Sequence, residues 1–162
     1  MRGIRVHPNY HGYKLDHPDF ARLLAMCDER RLVLQLAVSI EDERTQHPLL
    51  QVKDVGTAPL PDLLKSHPNL RVVILNGFRS VSGKALEHLA HSPNIFFEIS
   101  TREAVAGVAV LVEKVPVERI LFGSHAPFFY FESAVLKLRE SGLDEEKLAL
   151  IRTKNAERLL HG

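Results

Sequence analysis

Short apolar runs rich in β-branched residues alternate with amphipathic runs along the whole chain. The first strand candidate, GIRVHP (3–8), precedes HPDFARLLAMCDERR (17–31), where Phe20, Leu23, Leu24 and Cys27 recur at helical spacing. LVLQLAV (32–38) reads as the second strand. A long connection, SIEDERTQHPLLQVKDVGTAP (39–59), separates it from a short helix in PLPDLLKSHP, and connections of that length inside a compact domain are often functional. LRVVILN (70–76) is the third strand, and Ser82 is placed to cap the helix GKALEHLAHS. IFFEIST (95–101) and RILFGS (119–124) complete five strands, with helices predicted over 102–115, 131–141 and 145–160, the last capped by Asp144.

Strands alternating with helices predict an α/β fold with a parallel sheet. The strands are near-continuous apolar runs, as a sheet covered on both faces requires. Two architectures fit that alternation, an open doubly wound sheet and part of a (β/α)8 barrel. Neither G-x-G-x-x-G nor G-x-x-x-x-G-K-[ST] occurs, so the glycine-rich turn of a nucleotide-binding open sheet is missing. A barrel instead predicts polar residues at the C-terminal ends of several strands. Such residues are present: His7, Gln35, Asn76, Glu98 or Ser100, and His125. In a parallel arrangement they converge on one mouth.

Composition narrows the picture further. The 162 residues fit one domain spanning 1–162, and 45% hydrophobic with 25% charged residues is ordinary for a globular protein. The formal charge is +1, with 21 Lys and Arg against 20 Asp and Glu interspersed, which speaks against a nucleic acid or an acidic membrane surface as partner and leaves a small-molecule ligand. Cys27 is the single cysteine and lies in an apolar helical pattern, so a buried thiol and a reducing cytoplasm are expected. No signal-peptide pattern opens the chain, and no apolar run is long enough to span a membrane.

His125 suits general acid/base work because imidazole titrates near neutrality, or metal ligation through a neutral ring nitrogen, or an orienting hydrogen bond. Gln35 and Asn76 do not ionise; they suit donation to a carbonyl or carboxylate better than zinc ligation. His7 and His11 are four apart, but Pro8, Asn9 and Gly12 break the helical geometry that a metal clip at that spacing needs. HPNYHGYKLDHP therefore reads as a ligand-lining loop with aromatic and basic contacts. In DERTQHP (42–48), Arg44 is a candidate bidentate clamp for a carboxylate, set against the plainer reading of a solvated charged loop. Phe128, Phe129, Tyr130 and Phe131 follow His125; most of them are expected as core, with one ring able to roof a pocket.

With those residues placed, the chain resembles the C-terminal part of the amidohydrolase-related family of metal-dependent hydrolases, which includes small aromatic-acid decarboxylases and lactone hydrolases. RILFGSHAP (119–127) resembles the family's last barrel strand with its Gly-Ser/Thr-Asp-x-Pro ending, NAERLL (155–160) its terminal helix, and LRVVILNG the strand that ends in His-x-Gly. His125 stands where the family has its metal-binding aspartate, and Gln35 and Asn76 stand where it has strand-end histidines. The opening His-x-His strand is not in this sequence. The resemblance implies about five-eighths of a TIM-type (β/α)8 barrel, an incomplete barrel of parallel βα repeats.

Two expectations follow from the resemblance. Unpaired edges at GIRVHP and RILFGS would make the chain a fragment or lead it to self-associate. The activity implied is that of a hydrolase or lyase on a small carbonyl or carboxylate compound, with His125 as acid/base, Asn76 and Gln35 polarising a substrate oxygen, and His7 and Arg44 orienting it. A divalent metal, zinc or manganese, is implied by the resemblance alone; the residues themselves assign no metal ligand. The alternatives are a catalytically silent, metal-free binding or scaffolding domain, and a metal site rebuilt from His7, His11, His47 and His125.

Overall fold

The structure is a computed structural model and describes residues 1–161. Five strands, β1 (Gly3–Val6), β2 (Val33–Ala37), β3 (Val72–Leu75), β4 (Ile95–Glu98) and β5 (Ile120–Leu121), form one parallel sheet in the order β1-β2-β3-β4-β5. Sequential order in a parallel sheet means that every crossover moves one strand along in the same direction. That is the topology of a partial barrel, not of a doubly wound sheet, whose order reverses.

The helices are α1 (Pro18–Glu29), α2 (Leu60–Leu64), α3 (Gly83–Ala90), α4 (Gly107–Lys114), α5 (Phe131–Arg139), α6 (Glu145–Ala149) and α7 (Asn155–His161). His17 caps α1 through Nδ1, which accepts from the Asp19 N–H, and Asp144 caps α6 by accepting from Lys147. Ser82 does precede α3 in an extended conformation, but its hydroxyl makes no cap bond. The helix expected from residue 102 starts at Gly107, because Ala106 adopts a left-handed φ of +53° that a helix cannot carry.

The alternation of side chains along each strand separates two cores. On the convex face Leu34, Leu36, Val72, Ile74, Ile95, Phe97 and Ile120 pack with Phe20, Leu24, Cys27, Leu86 and Leu111 of the helices. On the concave face Val33, Val73 and Leu121 meet Leu159 of α7. The apolar character of both strand faces thus has a direct cause: α7 covers the base of the inner surface. Arg71 holds α7 there through the Leu159 carbonyl (2.5 Å), and Arg2 through the Leu160 carbonyl (3.2 Å).

The sheet edges differ from expectation. RILFGS was expected to present an open edge, and it does not. Between α6 and α7 the chain widens into a π turn, Leu150–Lys154, and its Ile151 carbonyl accepts the Phe122 N–H at 2.9 Å. Asn155 Nδ2 donates to the carbonyls of Ile120 (2.8 Å) and Val117 (2.7 Å). The outward groups of β5 are therefore taken by the C-terminal segment, a device that blunts strand addition. β1 stands at the other edge. Its Arg2 carbonyl accepts from Val33, so Gly3 and Arg5 turn their backbone groups outward, where no strand of the described residues pairs with them.

Candidate functional site

A trough of about 720 Å³ opens along the concave face, and Arg5, Gln35, Asn76, Glu98 and His125 are among the polar residues that line it, with Arg2 at its base. Three of the sequence-predicted residues, Gln35, Asn76 and His125, are brought together along it. Gln35 projects from the middle of β2, below the rim, while Asn76 directly follows β3 and His125 lies in the loop after β5.

Asn76 and His125 form a hub. Asn76 is 6% exposed and adopts φ +53°, a conformation Asn tolerates better than most residues; His125 adopts φ +55°. Asn76 Nδ2 donates to the Ser39 carbonyl at 2.9 Å and lies 3.1 Å from His125 Nδ1. His125 Nε2 lies 2.5 Å from the Ile40 carbonyl. A carbonyl only accepts and an amide NH₂ only donates, so these partners assign the tautomer: Nε2 carries the proton and Nδ1 accepts from Asn76. The ring also stacks on Phe128 (centroids 5.0 Å apart) and meets the edge of Phe129 (5.4 Å). Both Ser39 and Ile40 belong to the long β2–α2 connection, which thus reaches across the mouth to fix the histidine.

Glu98 lies beneath the hub. Although 4% exposed, each of its carboxylate oxygens has a partner: Oε1 accepts from the Asn76 N–H (2.5 Å) and approaches the Ser100 hydroxyl (2.5 Å), and Oε2 accepts from the Ser100 N–H (2.9 Å). The Ser100 hydroxyl also reaches Asn76 Oδ1 at 2.8 Å, and with a single hydrogen it donates to one of the two at a time. Lys137 of α5 donates to the Ser100 carbonyl, and burial pulls its pKa down. Gly123 passes directly over Glu98, where a β carbon would fall inside the van der Waals envelope of Oε2. Glu98 and Ser100 were visible in the sequence as strand-end polar residues. Gly123 and Lys137 carried no such signal.

His7 and Arg44 lie outside the trough lining. His7 follows β1, its Nδ1 is buried with no partner among the described residues, and its ring meets His11 edge-on at 6.4 Å. Burial, with Arg5 and His11 nearby, lowers its pKa. Arg44 does act as a bidentate clamp, but on Asp42 of its own loop, through Nε (3.0 Å) and Nη2 (2.6 Å). Arg79 joins the same carboxylate at 2.7 Å, and the Arg44 bonds hold Asp42 well below the usual carboxylate range.

Among the described residues no three His, Cys, Asp or Glu side chains converge on a point that could hold a metal ion, so the site rebuilt from His7, His11, His47 and His125 does not form. His47 Nδ1, for its part, accepts from the Leu49 N–H within its own loop. At the mouth Asn76 is an amide, both nitrogens of His125 are engaged, and the Glu98 carboxylate already accepts from N–H and O–H groups. This donor set by itself does not fit zinc or manganese.

Comparison with known proteins adds context to this geometry. The sequence model of the family described as Amidohydrolase matches residues 1–162. A search of curated proteins finds no match. Among solved structures, an uncharacterized TIM-barrel protein, Bb4693, from Bordetella bronchiseptica superposes with a TM-score of 0.76 at 18% identity over 99% of this chain and 57% of its own. The 5-carboxyvanillate decarboxylase LigW from Sphingomonas paucimobilis gives 0.72 at 14% identity, over 99% and 58%. The 5-carboxyvanillate decarboxylase from Novosphingobium aromaticivorans, complexed with manganese and 4-hydroxy-3-methoxy-5-nitrobenzoic acid, gives 0.70 at 15%, over 99% and 56%. The chain thus spans between half and two thirds of the length of these barrels. Among the described residues, no helix is long and apolar enough to cross a membrane.

Proposed function

The chain belongs to the amidohydrolase family, and from that premise we propose that it serves hydrolysis or lyase cleavage of a small carboxylate or carbonyl compound at the mouth of the trough. The observation that carries the reading is His125, a histidine of defined tautomer at the cavity rim, bonded to an amide donor. Similarity to decarboxylases supports a carboxylate-bearing compound.

In this reading an oxygen of the compound enters between Asn76 Nδ2 and His125 Nδ1. Asn76 then donates to that oxygen and polarises it, while the released Nδ1 accepts a proton from a water that attacks the polarised carbon and returns it to the leaving group. Opening the existing bond costs about 1 kcal/mol net, which the two new bonds offset. Gln35 binds the compound lower in the trough. A substrate-orienting part for His7 and Arg44 requires the loops carrying them to move inward. The test is His125→Ala, checked for native circular dichroism and assayed on ester, amide and carboxylate panels that the unaltered protein turns over. Loss of turnover with the fold intact supports the reading; undiminished turnover removes His125 from the chemistry.

A second reading draws on a specific feature: both hydrogens of Asn76 and both nitrogens of His125 are already paired. A saturated hub suits a catalytically silent ligand-binding or scaffolding domain. Compounds that bind the unaltered protein tightly yet are never converted would favour it.

A further inference from the structure

The inner face of β1 carries a cation that the His125 hub does not use. Ile4 and Val6 pack into the convex core, whereas Arg5 lines the trough. In the β1–β2 register Arg5 stands opposite Gln35, and its Nε donates to Gln35 Oε1 at 2.8 Å. That bond fixes the amide, with the oxygen toward the guanidinium and Nε2 turned away from it. The remaining donors, both Nη groups of Arg5 and Nε2 of Gln35, have no partner among the described residues. Nor does Arg5 form a salt bridge among the described residues: Glu98, the acidic residue of the same cavity, bonds Asn76 and Ser100 instead.

A cation and an oriented amide that offer only donors, side by side in a cavity, are complementary to an anion, and the planar guanidinium fork matches a carboxylate. We infer that Arg5 and Gln35 bind the carboxylate of an elongated compound whose reacting group meets His125. The inference rests on the trough being a ligand site, as proposed above, and adds to it an anchor and a molecular length. Ala37 pairs with Leu75, so Asn76 stands about three residues above the Gln35 level, roughly 10 Å along the strands at the rise of a parallel sheet. Val73, Leu75 and Leu121 wall the interval. The compound therefore carries its anionic end at Arg5, an apolar body against these side chains, and the group to be transformed at the rim.

The test is calorimetric titration of the full chain at low salt with hexanoate and with its uncharged analogue hexanamide, repeated on Arg5→Gln, Arg5→Lys and His125→Gln. Hexanoate is expected to bind about tenfold or more tightly than hexanamide, a 1.4 kcal/mol difference, with Arg5→Gln abolishing the preference and Arg5→Lys keeping part of it. His125→Gln is expected to keep the preference, because the anchor lies below the rim. Equal binding of acid and amide, unchanged hexanoate affinity in Arg5→Gln, or loss of the preference in His125→Gln would each overturn the assignment. The acid-versus-amide comparison on the unaltered protein stands even if Arg5→Gln folds poorly. Turnover unaffected by His125→Ala would end the catalytic reading without touching these binding results, so the two fail separately.

Discussion

The side-chain amide of Asn76 meets Nδ1 of His125 at 3.1 Å, and both residues hold left-handed backbone angles, φ +53° and +55°. Two non-glycine residues kept in that region and bonded to each other are over-determined by their surroundings, a condition typical of functional sites. The Ser39 and Ile40 carbonyls and the Glu98 carboxylate supply the restraint.

Asn76→Ala removes the bonds to Ser39, His125 and Ser100 and adds the strain of a left-handed alanine. A loss of about 3 kcal/mol is expected. Asn76→Gly loses the same bonds without that strain and is expected to be about 1 kcal/mol less destabilised. Urea unfolding of both variants reads the difference; equal losses would mean that the backbone angle carries no cost.

Gly123→Ala drives a methyl group into the Glu98 carboxylate, which the N–H groups of Asn76 and Ser100 hold in place. Overpacking of this kind costs about 1–3 kcal/mol. Because strain and partner share one contact, Gly123→Ala combined with Glu98→Ala is expected to be less destabilised than the sum of the single variants. Additive losses in a double-mutant cycle would separate the two residues.

His7 has a lowered pKa in the folded protein, through burial first and then Arg5 and His11. The unfolded chain therefore binds the proton more readily, so the stability associated with neutral His7 is present above the unfolded value near 6.5 and is lost as pH falls from there through the folded pKa. Chemical denaturation between pH 7.5 and 5 is expected to show a smaller decline for His7→Gln than for the unaltered protein. Parallel declines would place the pH sensitivity elsewhere.

Asn155→Leu keeps the branching of the side chain and removes its donations to the carbonyls of Ile120 in β5 and Val117 in the turn before it. The Val117 carbonyl keeps the Ile120 N–H, so leaving the Ile120 carbonyl unsatisfied is expected to cost about 1–3 kcal/mol and to expose the edge. Light scattering is expected to show more concentration-dependent association in the variant than in the unaltered protein, and an unchanged profile would mean that the π turn alone seals β5.

Most of the sheet was legible in the sequence because GIRVHP, LVLQLAV, LRVVILN, IFFEIST and RILFGS are apolar runs between helical periods, a local signal. His125 and Asn76 were legible as polar residues ending such runs. What they bond to was not. The partners of His125 come from Ile40 and Asn76, far off in sequence and joined only when the long β2–α2 connection folds over the mouth. The sealing of β5 is not legible because residues 145–160 read as one unbroken helix, and a π turn at Leu150–Lys154 leaves no mark in hydrophobic periodicity. Arg5 was open to detection, since alternation in GIRVHP sets it on the face opposite Ile4 and Val6. Arg44 illustrates the reverse: its fork suits a carboxylate of a ligand, but Asp42, two residues away, is the carboxylate it holds.

The two borders of the sheet behave like the two ends of a polymer, one terminated and one still reactive. With the C-terminal segment stopping β5, lateral growth has a single direction: any strand that joins, whatever its source, does so beside β1. Such a strand would run next to Gly3 and Arg5 and form the far wall of the trough. The same event that lengthens the sheet would convert an open gutter into an enclosed chamber and withdraw the guanidinium of Arg5 from bulk water, where its attraction for an anion is strengthened by the lower dielectric.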